Sequence, residues 1–156
     1  MGSSGALANH AGLPLANQLV DDAGNPLGPD DFYIPGSVVQ VRVDNAQPLA
    51  YGMPERANMF FVGGTPVMRM LPAATGEGVI PVAWYDSTEP LVSGWAWGQQ
   101  RLEGGVAVAH AKLGQGNLFV FGPEITNRGQ PHGTFKFLFN GIFLAGAEER
   151  VLGLTP

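Results

Sequence analysis

The sequence contains no cysteine. This absence excludes disulfides, thiolate metal sites and cysteine nucleophiles from the chain. Basic residues are also few: lysine and arginine together number eight, and the formal net charge is −5. Nucleic-acid binders draw much of their affinity from cationic side chains that neutralise phosphates. The sequence therefore predicts no nucleic-acid partner.

Charge of either sign is scarce, and long apolar runs are missing. Charged residues make up 13% of the chain, whereas soluble domains average about 25%. We expect a neighbouring domain or a second subunit to cover part of such a surface. No run approaches the roughly 18 apolar residues of a membrane span, and no basic-then-apolar signal opens the chain. We predict no membrane span.

Glycine and proline are abundant, with 23 and 13 residues in a chain of 156. They indicate short elements joined by tight turns. The length fits a single domain over residues 1–156. Residues 1–5 are either the remnant of an expression tag or a native turn. In the second case they lead into a short helix at residues 6–11, which Gly12 ends.

Periodicity predicts most of the strands. Val39, Val41 and Val43 share one face of residues 37–44, which indicates a half-buried strand. Further strands are predicted within residues 58–62, 65–70, 79–85 and 105–113, and a loop over residues 21–31. A hairpin turn at residues 114–116 precedes the continuous apolar run 118–121, which is typical of a strand covered on both faces.

The last predicted element is a helix over residues 134–145 with Thr134 as its N-cap. Its apolar side chains recur at i, i+3, i+4, i+7 and i+8, and they are Phe135, Leu138, Phe139, Ile142 and Phe143. We expect this helix to pack on the sheet. The pattern predicts the second half of an open α/β layer structure with a hairpin excursion.

Two segments, residues 94–104 and 116–140, resemble the C-terminal region of large bacterial zinc-carboxypeptidase-like proteins of the carboxypeptidase A type. Residues 32–37 and 48–54 fit the same region, so the likeness covers about residues 30–145. In that family a class I glutamine-amidotransferase-like domain follows the peptidase domain. The resemblance implies a partial flavodoxin-like open sheet, a periplasmic or extracellular location, and a longer parent protein whose peptidase domain holds zinc.

Neither catalytic chemistry of that family is present in this chain. The peptidase zinc site needs a His-x-x-Glu pair and a distant His, and none of His10, His110 and His132 is followed by Glu at the third position. The amidotransferase nucleophile is a cysteine activated by a His and a carboxylate. We therefore predict no enzyme activity, metal or cofactor for this chain.

One hydrolase alternative remains open. Ser3 or Ser4 could stand on a turn before the first helix, with His132 as base and Glu124 as acid. This hypothesis of a degenerate, serine-dependent amidohydrolase requires the three side chains to converge within hydrogen-bond reach.

Glu124, Asn127, Arg128 and His132 form a polar cluster in the loop after a strand, where open α/β sheets bind ligands. They are candidate binding residues. The structural alternative is that Arg128 pairs with Glu124 to hold the loop, while His132 caps the last helix or bonds a backbone carbonyl.

Trp95 and Trp97 would share one side of an extended segment. They are candidates for binding a sugar, a peptide or a partner surface, and the alternative is that they cover the end of the core or a domain interface. His110 alternates with valines and is expected to be a buried imidazole with a hydrogen-bond partner. His10 ends a short helix, where a cationic side chain favours the dipole.

The function predicted from these observations is a non-catalytic accessory or interaction domain. It would pack against a parent peptidase domain, dimerise, or hold a peptide or sugar. The alternative from another class is a self-assembling structural subunit that covers a free sheet edge or an apolar face with another copy.

Overall fold

A computed structural model describes residues 3–147, with side chains from Gly5 onward. Eight strands form one sheet, and an α-helix lies at each end of the described chain. The elements in order are α1 (Ser3–His10), β1 (Leu15–Asn17), β2 (Gly36–Val43), β3 (Arg56–Val62), β4 (Met68–Met70), β5 (Val79–Trp84), β6 (Leu91–Ser93), β7 (Val106–Leu113), β8 (Gly116–Phe121) and α2 (Phe135–Ala145). The first helix is present but begins at Ser3, within residues 1–5, where the native alternative was a turn. The predicted loop and strands are present, although the strand expected at residues 65–70 is confined to β4.

The sheet is antiparallel. Its order is β1-β4-β7-β5-β2-β3, with β8 added to β7 and β6 added to β2. Every strand pairing within residues 3–147 is antiparallel. The α/β class and the C-terminal helix are confirmed, but the flavodoxin-like parallel arrangement is not. Parallel neighbours need crossover connections, usually helical, and α1 and α2 flank the strands instead of connecting them.

Strand β2 has the expected alternation. Val39, Val41 and Val43 are buried, while Arg42 is exposed. The cross-strand residues of β3 follow the same period, since Met59 lies opposite Val39 and is buried in the same core. A period of two selects one face without ambiguity, which is why this prediction is confirmed.

The predicted hairpin of β7 and β8 is present, and β8 is covered on both faces as expected. The two strands pair through the turn after residue 113. Leu118 and Val120 pack in a small cluster with Ala8 of α1. Phe119 and Phe121 face the main core, which contains Phe137 of α2. The apolar run therefore has neighbours on both faces.

Helix α2 begins where the sequence indicates, but its cap differs. Thr134 occupies the N-cap position after a 3₁₀ turn at His132–Thr134, and it makes no side-chain cap bond. Its hydroxyl lies instead 2.8 Å from the carbonyl oxygen of Pro131 and 2.5 Å from that of Ile125. The side chain therefore ties the helix start to the preceding loop.

The expected apolar face of α2 is the outward one, so this prediction is wrong. Phe137 is fully buried, whereas the side chains from 138 to 143 that periodicity selected are 38–78% exposed; these are Leu138, Phe139, Ile142 and Phe143. Eight of the eleven residues of α2 are apolar and they lie on both sides of the helix, so the period of 3.6 does not identify the inward side.

Polar anchors and one glycine set the rotation of α2. The amide of Asn140 donates to the carbonyl oxygens of Leu49 and Tyr51, at 2.9 and 3.0 Å. Lys136 Nζ donates to the carbonyl oxygen of Gly52 at 2.6 Å. Gly141 is buried, and a Cβ added there would lie 3.1 Å from the ring of Phe119. These contacts turn the Phe137 side inward.

Candidate functional site

The loop after β8 places the predicted polar cluster on the surface. Glu124, Arg128 and His132 are exposed and Asn127 is half-buried, while Ile125 is buried and anchors the loop to the core. The loop contains a 3₁₀ turn at Asn127–Gly129, inside which Arg128 has a φ of 49°. The cluster is therefore accessible, although its members do not form one enclosed site.

The expected ion pair between Glu124 and Arg128 is not formed. Within residues 3–147 the salt bridge present is the one between Arg56 and Asp86, at 2.8 Å. Both Glu124 and Arg128 are exposed, and an exposed pair gains little because water screens it. The backbone of the loop is held by local hydrogen bonds, such as those from Asn127 N to Glu124 O and from Gly129 N to Thr126 O.

Among the described residues, His132 neither caps α2 nor hydrogen-bonds a carbonyl through its ring. Its backbone N–H donates to Gln130 O at 2.9 Å, and its imidazole packs against the ring of Phe135 with centroids 5.3 Å apart. No hydrogen bond joins its ring to Glu124 in the part of the chain that the structure describes. The Ser3 and Ser4 side chains lie outside the described side chains, so the serine hydrolase hypothesis receives no support from geometry.

His132 contributes to a cleft of about 660 Å³ between the β2–β3 ribbon and residues 130–133. The outer face of the ribbon supplies the cross-strand pairs Gln40–Asn58 and Val38–Phe60. The cleft also touches Arg56, whose guanidinium donates to both carboxylate oxygens of Asp86, at 2.9 and 2.8 Å. The cleft brings His132 to amide side chains and not to Glu124, Asn127 or Arg128.

The other histidines are surface groups. His110 is half-buried rather than buried, and its register partners, Ile80 of β5 and Phe119 of β8, are exposed and half-buried, respectively. Its Nε2 lies 2.8 Å from Asn117 Oδ1, and its ring lies 5.0 Å from that of Phe119. The expected polar partner is thus present. His10 lies in the last turn of α1, as predicted.

Trp95 and Trp97 lie on an exposed aromatic surface that the sequence indicated only in part. Tyr33 completes it: residues 33 and 97 form an antiparallel bridge, and the rings of Tyr33 and Trp95 meet edge to face at 5.9 Å. We name these three residues the aromatic surface. The periodicity of residues 95–97 indicated the two tryptophans, but the contact with Tyr33 joins segments far apart in sequence.

The outward side of α2 is the second apolar surface, and sequence reasoning placed it in the core. Phe139, Ile142 and Phe143 are all more than half exposed. Phe143 and Tyr51 border a shallow groove of about 430 Å³ together with Pro48 and Asn140. We name Leu138, Phe139, Ile142, Phe143 and Tyr51 the α2 outer face.

Tyr85 is a buried polar group that the sequence did not single out. Its side chain is fully buried, and its hydroxyl has no hydrogen-bond partner within the described structure. Its ring meets that of Phe61 edge to face at 6.4 Å. Burial raises the pKa of the Tyr85 phenol well above its ordinary value, because the charged form would lose its hydration.

Asp21 is a contrasting, exposed group. Hydrogen bonds from the backbone and side chain of Asn25 stabilise its carboxylate and lower its pKa. They close the turn that joins Val20 to Pro26. This carboxylate is engaged in holding a loop.

Residues 3–147 contain neither a cluster of metal-ligating side chains nor a membrane-spanning helix. No group of three His, Asp or Glu side chains in this region could hold a metal ion. Neither of its α-helices, of 8 and 11 residues, nor any other helix there could cross a bilayer. In comparisons with known proteins, no family model, no curated protein and no solved structure matches this chain.

Proposed function

We propose that this chain is a non-catalytic interaction domain and that it contacts another protein surface through the α2 outer face. The observation that carries this proposal is the exposure of Phe139, Ile142 and Phe143, at 53%, 62% and 78%. None of these side chains can offer a hydrogen bond to water. Large apolar patches on a surface mark protein contacts.

The size of the face supports a specific contact. Aromatic side chains carry roughly 150–250 Å² each, so the five residues expose on the order of 400–600 Å². A stable interface buries roughly 800 Å² on each partner. The α2 outer face would supply the apolar centre of such an interface, and the neighbouring surface would supply its rim.

Two occupants are consistent with this face. The resemblance of the sequence to the region that follows a zinc-carboxypeptidase-like domain favours a parent domain as partner. A second copy is the alternative, because an apolar helix face can pair with itself about a two-fold axis. A flavodoxin-like sheet, the finer part of the expected fold, would need parallel pairing with strands outside residues 3–147, and it stays a prediction.

The solution mass of the chain, measured by light scattering over a wide range of concentration, tests the proposal. If the chain associates, the double substitution Phe139→Glu and Phe143→Glu should return it to a monomer. Leu7→Glu is the matched control, since Leu7 is a half-exposed leucine on the surface of α1. Its substitution should leave the mass unchanged.

A monomer would exclude the second copy and direct attention to the parent domain. Carbene footprinting of the natural protein would then compare labelling of Phe139 and Phe143 with labelling of Leu7. Protection of the two phenylalanines alone supports the interaction domain. Full labelling of all three in the natural protein would contradict it.

A further inference from the structure

The aromatic surface is distinct from the α2 outer face in residues and in construction. The side chains of Tyr33, Trp95 and Trp97 are 47%, 53% and 55% exposed. Trp95 and Trp97 are separated by one residue, and Trp97 pairs with Tyr33 of the adjoining segment. The rings of Tyr33 and Trp95 are in contact, and the backbone bridge places Trp97 beside Tyr33. Each of the three side chains has about half of its surface open to water.

Hydrogen bonds hold the backbone that carries these rings. Tyr33 and Trp97 exchange two of them, at 3.0 and 2.9 Å. The backbone N–H of Trp95 donates to Ser37 Oγ at 2.9 Å, and the same hydroxyl donates to Trp95 O at 2.6 Å. Ser37 is buried. The backbone that carries the rings is therefore held in place before any ligand arrives, which reduces the entropic cost of binding.

The ring of Trp97 is also oriented by its own polar atom. Its indole Nε1–H donates to Asp30 O at 2.7 Å. The single N–H donor of the indole is therefore used within the protein, while more than half of the side chain remains exposed. What Trp97 offers to a ligand is therefore chiefly an apolar ring surface.

A groove of about 380 Å³ adjoins Trp97 and is lined by polar side chains. Asp30, Asp31, Gln100 and Arg101 border it and are exposed. No hydrogen bond or ion pair engages these four side chains within the described part of the chain. The groove thus places free acceptors, free donors and an amide directly beside an apolar ring.

We propose that the aromatic surface and this groove bind a neutral oligosaccharide. Sugar rings present C–H groups on their faces, which pack on aromatic rings, and hydroxyls at their edges, which both donate and accept. Carboxylates accept from hydroxyls, a guanidinium donates to them, and an amide does both. The same set disfavours nucleic acid, because the two carboxylates repel its phosphates.

Titration of the chain with cellohexaose, xylohexaose, maltohexaose and chitohexaose, followed by tryptophan fluorescence and calorimetry, tests this site. We expect one of the four to bind and to shift the tryptophan emission. Trp95→Ala should weaken that binding about tenfold, the scale of loss when one ring of an aromatic stacking platform is removed. Tyr51→Ala is the control, because Tyr51 is an exposed aromatic residue of the α2 outer face.

Gln100→Ala keeps the test decisive if Trp95→Ala does not fold. Its side chain is exposed and has no partner in the described protein, so its loss should weaken oligosaccharide binding without changing the melting temperature. Binding that both Trp95→Ala and Gln100→Ala leave unchanged would overturn the proposal. So would the absence of binding to all four oligosaccharides, whether or not tetramethylammonium or an extended peptide binds.

The test is independent of the proposed interaction function. Trp95→Ala should leave the solution mass unchanged, and the double substitution in α2 should leave oligosaccharide affinity unchanged. Failure of one proposal therefore does not decide the other.

Discussion

The α2 outer face and the aromatic surface both expose large apolar side chains, but they differ in what surrounds those side chains. On α2, four successive outward positions are phenylalanine, leucine or isoleucine, and none has a polar atom. On the aromatic surface each ring carries a polar atom, and unpaired polar side chains of Asp30, Asp31 and Arg101 stand beside them.

This difference distinguishes two kinds of contact. Within the α2 outer face only Tyr51 has a polar side-chain atom, and such a face gains most when another apolar surface excludes water from it, as at the centre of a protein interface. A ring beside free donors and acceptors suits a ligand that has both apolar faces and hydroxyl groups. The following predictions test how each surface is held, in order of decreasing effect.

Phe137→Ala should destabilise the protein by about 3–5 kcal/mol, because Phe137 is fully buried between α2 and the sheet. Phe139→Ala, on the outward side of the same helix, should change stability by less than about 0.5 kcal/mol in a monomer. Urea denaturation of both variants measures the difference. Equal losses would show that α2 does not have the inward and outward sides described above.

Gly98→Ala should destabilise the protein by about 1–3 kcal/mol, because alanine is strained in a left-handed backbone conformation. Crowding around the new methyl group should add to this loss. Gly98 has a φ of 73°, and an added Cβ would collide with the carbonyl oxygen of Asp31. Gly64→Ala is the control, since Gly64 has a φ of 81° and open space around it. Thermal melts should give Gly98→Ala a lower melting temperature than Gly64→Ala. The reverse order would contradict the close approach of Gly98 to the carbonyl oxygen of Asp31.

Asn140→Ala should cost about 1–2 kcal/mol, because it removes two hydrogen bonds to the carbonyl oxygens of Leu49 and Tyr51. It should also loosen the rotation of α2, so that hydrogen exchange within the helix becomes faster. Gln100→Ala, which removes a side chain without a protein partner beside the aromatic surface, serves as the control. Equal protection in the two variants would rule out Asn140 as an anchor.

Tyr85→Phe should be neutral or stabilising by up to about 1 kcal/mol at neutral pH, because it removes a buried hydroxyl that has no partner in the described structure. The phenol has a raised pKa when folded and titrates near pH 10 when unfolded. Above about pH 10 the unfolded state therefore binds fewer protons, and the free energy of unfolding falls as pH rises.

For the expected loss of stability at alkaline pH, the controls are Tyr33 of the aromatic surface and Tyr51 of the α2 outer face. Tyr85→Phe should remove much of the loss of stability above about pH 10. Tyr33→Phe and Tyr51→Phe change exposed phenols and should leave that loss in place. Denaturant titrations at neutral and alkaline pH measure it, and an unchanged alkaline loss in Tyr85→Phe would contradict the burial of this group.

The sequence predicted strands better than it predicted surfaces. The valines of β2 alternate with polar residues, so only one face can be buried, and the structure buries that face. The extent of α2 was also predictable from its apolar residues. Its orientation was not, because Phe137 and Phe139 are chemically identical and lie on different sides of the helix.

The candidate site shows the same limit. Trp95 and Trp97 were recognisable from their spacing, but Tyr33 joins them through a bridge between distant segments. The expected pair of Glu124 and Arg128 is absent because nearness along an exposed loop does not bring two charged side chains together. The cleft at His132 depends on the outer face of β2 and β3, which no local pattern connects to that loop.

By itself the sequence determined that this chain forms short strands and a terminal apolar helix, and that it carries no cysteine chemistry and little charge. Periodicity and composition are local properties and suffice for these conclusions. Only the tertiary structure decided the antiparallel order of the sheet, the side of α2 that faces outward and the placement of Tyr33 beside the two tryptophans. Each of these depends on contacts between residues far apart in the chain, such as Asn140 with Leu49 and Tyr33 with Trp97.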